Sequence, residues 1–258
     1  MQDGFICGHR IPHMSEEPES SSTPTADPEH RAAGDVQAVY DRIADHFAST
    51  RAYAWPEVES FVTAIADHEG LDRALDLGCG NGRHTELLAE HGADAIGIDV
   101  SRGLLSAAAT RQRDHGFAAD LVQGDAATLP FADDTFGQIV YVATLHHLRP
   151  EATRRRSLAE LGRLLEPGGL ALVSAWSTAH DRFDAEASVD TTVEWTLPGG
   201  ETVDRYYHIY DPDAFRAALN AVEGIDPLTV TVSSGNCYAV VTTADSDATT
   251  DWPVESVL

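Results

Sequence analysis

Apolar residues change their period several times along this chain, and the changes divide it into elements. Residues 1–34 show little periodicity and are rich in Ser, Pro, Glu and Thr, the composition of a disordered acidic extension, with Met14 as a second candidate start. From Asp35, a helix N-cap, Val36, Val39, Tyr40, Ile43, Ala44 and Phe47 recur at helical spacing. A second helix opens at Pro56 and carries Val58, Phe61, Val62 and Ile65. Short apolar runs at 74–77, 95–99, 118–122, 138–143 and 170–176 then read as buried strands. Helices fall between them: one opens after Gly82, one is capped by Ser101 and holds Leu104, Leu105 and Ala108, and one spans 151–165 before Pro167-Gly168-Gly169. This alternation predicts an α/β fold with a doubly wound, mostly parallel sheet. Residues 177–203 are polar and irregular and read as an insertion over the crevice that helps choose the acceptor. A capped helix, Asp211-Pro212 to Val222, then precedes strands at 228–232 and 236–241, an antiparallel hairpin at the far edge, and a loose acidic tail from 242. The main domain is thus expected over 35–241.

The densest signal is Asp76-Leu77-Gly78-Cys79-Gly80-Asn81-Gly82, a strand running into a glycine loop that opens a helix. Glycines at alternate positions let backbone amides approach a ligand where a Cβ would block them. The dinucleotide fingerprint needs Gly or Ala three residues after its second glycine, and Arg83 stands there. Asp76 would repel a pyrophosphate and attract an ammonium group, which favours S-adenosylmethionine, a cofactor with an ammonium, a sulfonium and no phosphate. Asp99, with Val100 behind it, follows Gly82 by 17 residues, the distance at which a second strand end meets ribose hydroxyls. Asp125 and Ala126 follow the third strand, placed for the adenine amine. The fourth strand ends at Thr144-Leu145-His146-His147, where such a sheet presents its ligand crevice.

Composition changes the picture in one respect. The chain carries 17 basic and 42 acidic residues for a net charge of -25, and every basic residue is arginine. That balance suits a halophilic cytoplasm, where a Debye length of roughly 3 Å at 1 M salt screens self-repulsion. The alternative is a moderately acidic protein from an ordinary cell. Cys7, Cys79 and Cys237 lack disulfide or zinc-site spacing, and Cys7, His9 and His13 on an irregular terminus make no convincing metal site. No apolar run approaches the ~20 residues of a membrane span, and the start lacks signal-peptide order, so a cytoplasmic protein is expected.

These blocks resemble the class I, Rossmann-like S-adenosylmethionine methyltransferases. Residues 39–47, Thr50-Arg51 and Trp55-Pro56 are similar to the N-terminal signature of the tRNA wobble-uridine carboxymethyl methyltransferases. So are Leu145-His146-His147-Leu148, residues 164–169 with Trp176, Arg205-Tyr206-Tyr207-His208, and Gly235-Asn236. Gly137 and Cys237 depart from it, standing where relatives usually carry Asp and often carry Trp. The resemblance implies esterification of a carboxymethyl group on C5 of the wobble uridine in the tRNA anticodon loop. It also implies a small zinc-binding activator subunit that pairs near the third strand.

Other acceptors fit less well. Adenine-amine methylation usually goes with an Asp/Asn-Pro-Pro-aromatic turn after the fourth strand, and C5 methylation of a pyrimidine needs a cysteine nucleophile in the crevice. A carboxylate, ionised at neutral pH with a pKa near 4, needs only to be held in line with the methyl. Arg51, Arg205 and His146 are the residues expected to hold it, with Tyr206 and His208 shaping the pocket; a planar guanidinium offers a carboxylate two parallel hydrogen bonds. Arg149, Arg154, Arg155, Arg156 and Arg163 form a candidate basic patch, and Tyr53, Trp55 and Trp176 could stack an extruded base. Two alternatives stay open: methylation of a small acid or quinone-like metabolite, and a non-catalytic cofactor-binding scaffold.

Overall fold

The computed structural model describes residues 28–66, 72–183 and 185–244, with side chains from Asp35 onward. Cys7, His9, His13 and Met14, most of the expected N-terminal extension and the end of the acidic tail lie outside the described residues. The chain begins with α1 (Pro28–Ser49) and α2 (Pro56–Ile65). The core follows as β1 (Arg73–Leu77), α3 (Arg83–Glu90), β2 (Asp94–Asp99), α4 (Arg102–His115), β3 (Asp120–Gln123), β4 (Phe136–Tyr141), a 3-10 turn at Leu145–His147, α5 (Glu151–Leu164) and β5 (Leu165–Trp176). It closes with β6 (Val189–Thr196), β7 (Thr202–Ile209), α6 (Pro212–Asn220), β8 (Ile225–Ser233) and β9 (Asn236–Thr243).

The seven-stranded sheet has the order β3-β2-β1-β4-β5-β9-β8. β1 to β5 are parallel, and β9 and β8 add the antiparallel hairpin expected at the far edge. Alternation along β1 sends Leu75 and Leu77 to one face and Ala74 and Asp76 to the other. Leu75, Ile96, Ile139 and Val173 pack under Leu158 and Leu161 of α5 and Phe215 and Leu219 of α6. The opposite face, with Ala74, Val140 and Leu172, is covered by Phe61 and Ile65 of α2 and Leu88 of α3. Two helix starts follow the sequence closely: Ser101 Oγ accepts from the Leu104 amide at 3.1 Å, and Asp211 accepts from Asp213 and Ala214.

Three expectations need correction. α1 begins at Pro28, inside the segment read as extension, and Asp35, expected as its N-cap, lies within the helix; Pro suits the first helical position because its missing N–H has no partner there. β5 begins at Leu165, where it pairs with Phe136; Pro167-Gly168-Gly169 makes an irregularity inside the strand, opposite Gly137, and does not separate it from the helix. Residues 177–203 are not irregular throughout. β6 and β7 form a separate antiparallel pair, joined by a turn in which Gly199 and Gly200 have φ of 108 and 90°. Val203 of β7 packs on Tyr40, Ile43 and Leu104, which fixes the hairpin beside α1 and α4.

Candidate active site

The strand order reverses between β1 and β4, and a cavity of about 560 Å³ opens at the C-terminal ends of these strands. That size and place fit a small-molecule site. Gly78 forms its floor with φ of +79°, and a Cβ there would fall 2.1 Å from Thr144 Oγ1. The Gly80 amide donates to Asp99 Oδ2 at 2.9 Å, and the Ser101 amide to Oδ1 at 2.8 Å. Burial outweighs these bonds and pushes the Asp99 carboxyl up to about 6. Val100, Asp125 and Ala126 line the same end, and Asp125 Oδ1 is held by the Ala127 amide at 2.9 Å.

Two expected cofactor residues stand behind this surface. Asp76 lies on the sheet face covered by α3, is 1% exposed, and accepts from Thr85 Oγ1 at 2.6 Å; burial pushes its carboxyl up to about 7. It shapes the loop from beneath and does not reach the cavity wall. Gly82, with φ of +77°, caps α3, close to Ala108.

At the other end of the cavity the structure brings together Arg51, Arg205 and His146. The Arg51 guanidinium lies 5.2 Å from the Phe47 ring and 5.4 Å from Trp195. That of Arg205 lies 4.8 Å from Trp195 and 5.1 Å from Tyr207. Burial and the neighbouring Arg205 both lower the Arg51 pKa. No carboxylate among the described residues pairs with either arginine. His146 Nδ1 accepts the Trp176 amide at 3.1 Å, so the proton of the neutral ring sits on Nε2; burial holds its pKa well below the usual histidine range.

Tyr206 and His208 fall elsewhere. β7 alternates, so Arg205 and Tyr207 face the cavity while Tyr206 and His208 face away. His208 Nδ1 is paired with Asp190 at 2.6 Å, and the Arg149 guanidinium covers the Tyr206 ring at 5.2 Å. Tyr207, stacked 4.8 Å from His146, takes the place expected for its neighbours. Sequence reasoning also missed Tyr40, Phe47, His147 and Trp195 as wall residues. Tyr40 and Phe47 read as the buried face of a helix within the N-terminal signature, which assigned neither of them a place in the pocket; an aromatic face beside a glycine loop was the available signal.

The candidate basic patch divides. Arg163 is bound to Glu160 and Asp133, Arg154 is buried against the Leu148 carbonyl, and Arg155 and Arg156 are exposed. Trp55 and Trp176 line the cavity, whereas Tyr53 is 83% exposed outside it. Cys79 and Cys237 are buried and burial pushes both thiols up, so neither offers a thiolate. No group of potential metal ligands occurs among the described residues, and no helix there is long and apolar enough to cross a membrane.

Residues 75–173 match the methyltransferase domain family. A protein of Encephalitozoon cuniculi described as a methyltransferase is 32% identical over 181 residues, 68% of this chain and 80% of that protein. The chain belongs to the class I S-adenosylmethionine-dependent methyltransferases. A tRNA (carboxymethyluridine(34)-5-O)-methyltransferase of Arabidopsis thaliana is 31% identical over 169 residues, 64% of this chain. The similar region spans 39% of that relative's length, and 22% of a Xenopus tropicalis relative of the same description, which is 35% identical over 146 residues. The methyltransferase CcbJ of Streptomyces caelestis shares the fold with a TM-score of 0.63 at 20% identity, covering 81% of this chain and 99% of that one. DhpI, solved as a complex with SAH, does so with 0.60 at 19%, covering 84% and 98%.

The residues of this methyltransferase fit its cofactor: the Gly78 floor, packed on Thr144, leaves no room for a Cβ, and Asp99 and Asp125 set carboxylates beside the ends of successive strands as acceptors for hydroxyl and amine donors. When bound, S-adenosylmethionine supplies an electrophilic methyl group on a sulfonium.

Proposed function

We propose that this methyltransferase esterifies the carboxymethyl group on C5 of the wobble uridine of tRNA, acting with a small zinc-binding activator subunit. The observation that carries the reading is the pair of guanidiniums, Arg51 and Arg205, set among aromatic rings without an acid partner among the described residues, in a chain of net charge -25. Acids were abundant enough to neutralise both. An incoming carboxylate would complete their charge, and His146 Nε2–H offers a third, neutral donor beside them. The acceptor arrives ionised, so the protein needs no general base, and both His146 and His147 are kept neutral by burial. Orientation against the methyl donor is then the protein's main contribution. Trp55 and Trp176 at the cavity wall offer faces for an extruded base, an attraction that survives salt better than phosphate pairing. β3, at the edge of the sheet, is the strand against which the activator would pair.

The net charge favours a second reading, methylation of a small organic acid, because an acidic surface does not hinder a small substrate. One experiment separates them. The protein is incubated in high salt with labelled cofactor and either tRNA or a metabolite extract, with and without a candidate activator, and the RNA is digested to nucleosides. Label on a uridine carboxymethyl ester supports the proposal; label confined to small molecules in a metabolite extract rejects it.

A further inference from the structure

The turn Gly235-Asn236 is one of the blocks that stand out in the sequence, and neither the cofactor floor nor the arginine pair accounts for it. The fold sets it against His180. The Ser177 amide donates to the Gly235 carbonyl at 3.1 Å, and the chain then turns through His180, whose amide donates to the Ser177 carbonyl at 3.1 Å. Gly235 has φ of +76°, and a Cβ there would fall 2.4 Å from His180 Cδ2 and 2.7 Å from its Cγ. The space left by the missing side chain is the seat of the imidazole. Nδ1 accepts the Arg182 amide at 3.0 Å, so it carries no proton and the ring's one N–H is at Nε2. Nε2 has no hydrogen-bond partner among the described residues, and His180 lines the cavity.

A row of rings joins this donor to the acceptor end. His180 lies nearly parallel to Trp176, 24° apart with centroids separated by 5.9 Å; Trp176 lies 4.7 Å from Tyr207, and the Arg205 guanidinium lies 5.1 Å from Tyr207. All four residues line the same cavity. A pyrimidine whose C5 substituent is held by Arg205 carries its C4 group on the next ring atom, an oxygen in uracil and an amine in cytosine. A fixed N–H satisfies the first and opposes the second. We propose that His180 is a specificity residue that donates from Nε2 to the C4 oxygen of the uracil ring, and that the bare backbone of Gly235 is what seats it. The inference rests on the reading of the acceptor as a carboxymethyluridine.

The test uses anticodon stem-loops bearing 5-carboxymethyluridine or 5-carboxymethylcytidine at the wobble position, with the candidate activator present, and compares wild type with His180→Phe and Gly235→Ala. Phenylalanine keeps a ring beside Trp176 and removes the donor. One hydrogen bond is worth up to about tenfold, so His180→Phe should lower kcat/KM for the uridine substrate by about tenfold and leave the cytidine substrate no worse than with wild type, collapsing the preference for uridine. Gly235→Ala, which drives the imidazole off its seat, should lose the same preference, and both variants should bind S-adenosylhomocysteine as wild type does. A merely structural role would lower both substrates together. An unchanged uridine preference in His180→Phe overturns the inference, as does an equal loss on both substrates; a wild-type preference in Gly235→Ala overturns the seating alone. A wild-type protein that methylates neither stem-loop overturns the substrate reading beneath it.

Discussion

The Asn81 side-chain amide donates to the Arg51 carbonyl at 2.8 Å, so the loop facing the cofactor also fixes the backbone of an arginine expected to hold the acceptor. The tie makes the two halves of the cavity one unit. Asn81→Ala leaves that part-buried carbonyl without its partner, a loss of about 1 kcal/mol. The acceptor KM should rise severalfold in steady-state assays, with a smaller loss of cofactor affinity in titration calorimetry.

Gly78 meets Thr144 where a side chain would have to go, and its φ of +79° is one that other residues rarely adopt. Gly78→Ala should weaken S-adenosylhomocysteine binding by well over tenfold. Gly92 has a similar φ of +88° with nothing near its missing Cβ, so Gly92→Ala should lower thermal stability slightly and leave binding unchanged. Equal affinities for the two variants would contradict the role of the Gly78 floor.

Asp99 gives cofactor binding a pH dependence whose sign is fixed. Its carboxyl titrates near 6 in the free protein, and ribose hydroxyls donate to the charged form, so binding lowers that pKa. Affinity should be constant above pH 7 and fall as the pH drops through 6. Asp99→Asn should weaken binding at neutral pH and flatten the profile, measured by titration across pH 5–8.

Asp76 acts on stability in the opposite sense to a salt-bridged acid. Its carboxyl rises from 3.8 to about 7 on folding, so between those values the folded chain holds a proton that the unfolded chain has released. Stability contributed by this group is therefore lost as pH rises from about 4 to 7. Asp76→Asn keeps an acceptor for Thr85 and removes the titration. Denaturant unfolding at pH 4.5 and 7.5 should show a smaller difference for the variant than for wild type.

Periodicity and punctuation made the sheet legible. Ser101 and Asp211 cap the helices they were expected to cap, and 228–232 and 236–241 lie within the strands of the edge hairpin. The β6–β7 pair escaped because Asp190, Thr192 and Glu194 mask the alternation of Val193 and Trp195 with exposed polar groups, in a hairpin with one buried face. The same two-residue period decides the pocket. Tyr206 and Tyr207 are indistinguishable as residue types, and only the register that places Arg205 inward selects Tyr207. Tyr40 and His147 are 107 positions apart, and no local pattern could have joined them. Asp76 illustrates the converse: its type suited a cofactor ammonium, but the strand's parity turns it under α3.

The central claim is that the methyl group passes to a carboxylate held by Arg205. Alkaline lability of the transferred label tests it most directly, whatever molecule carries the acceptor. Product made with methyl-labelled cofactor is treated with mild base, and the volatile fraction is counted. Release of the label as methanol from wild-type product, with none formed by Arg205→Ala, is the predicted result; label that stays on the acceptor through base would contradict the account.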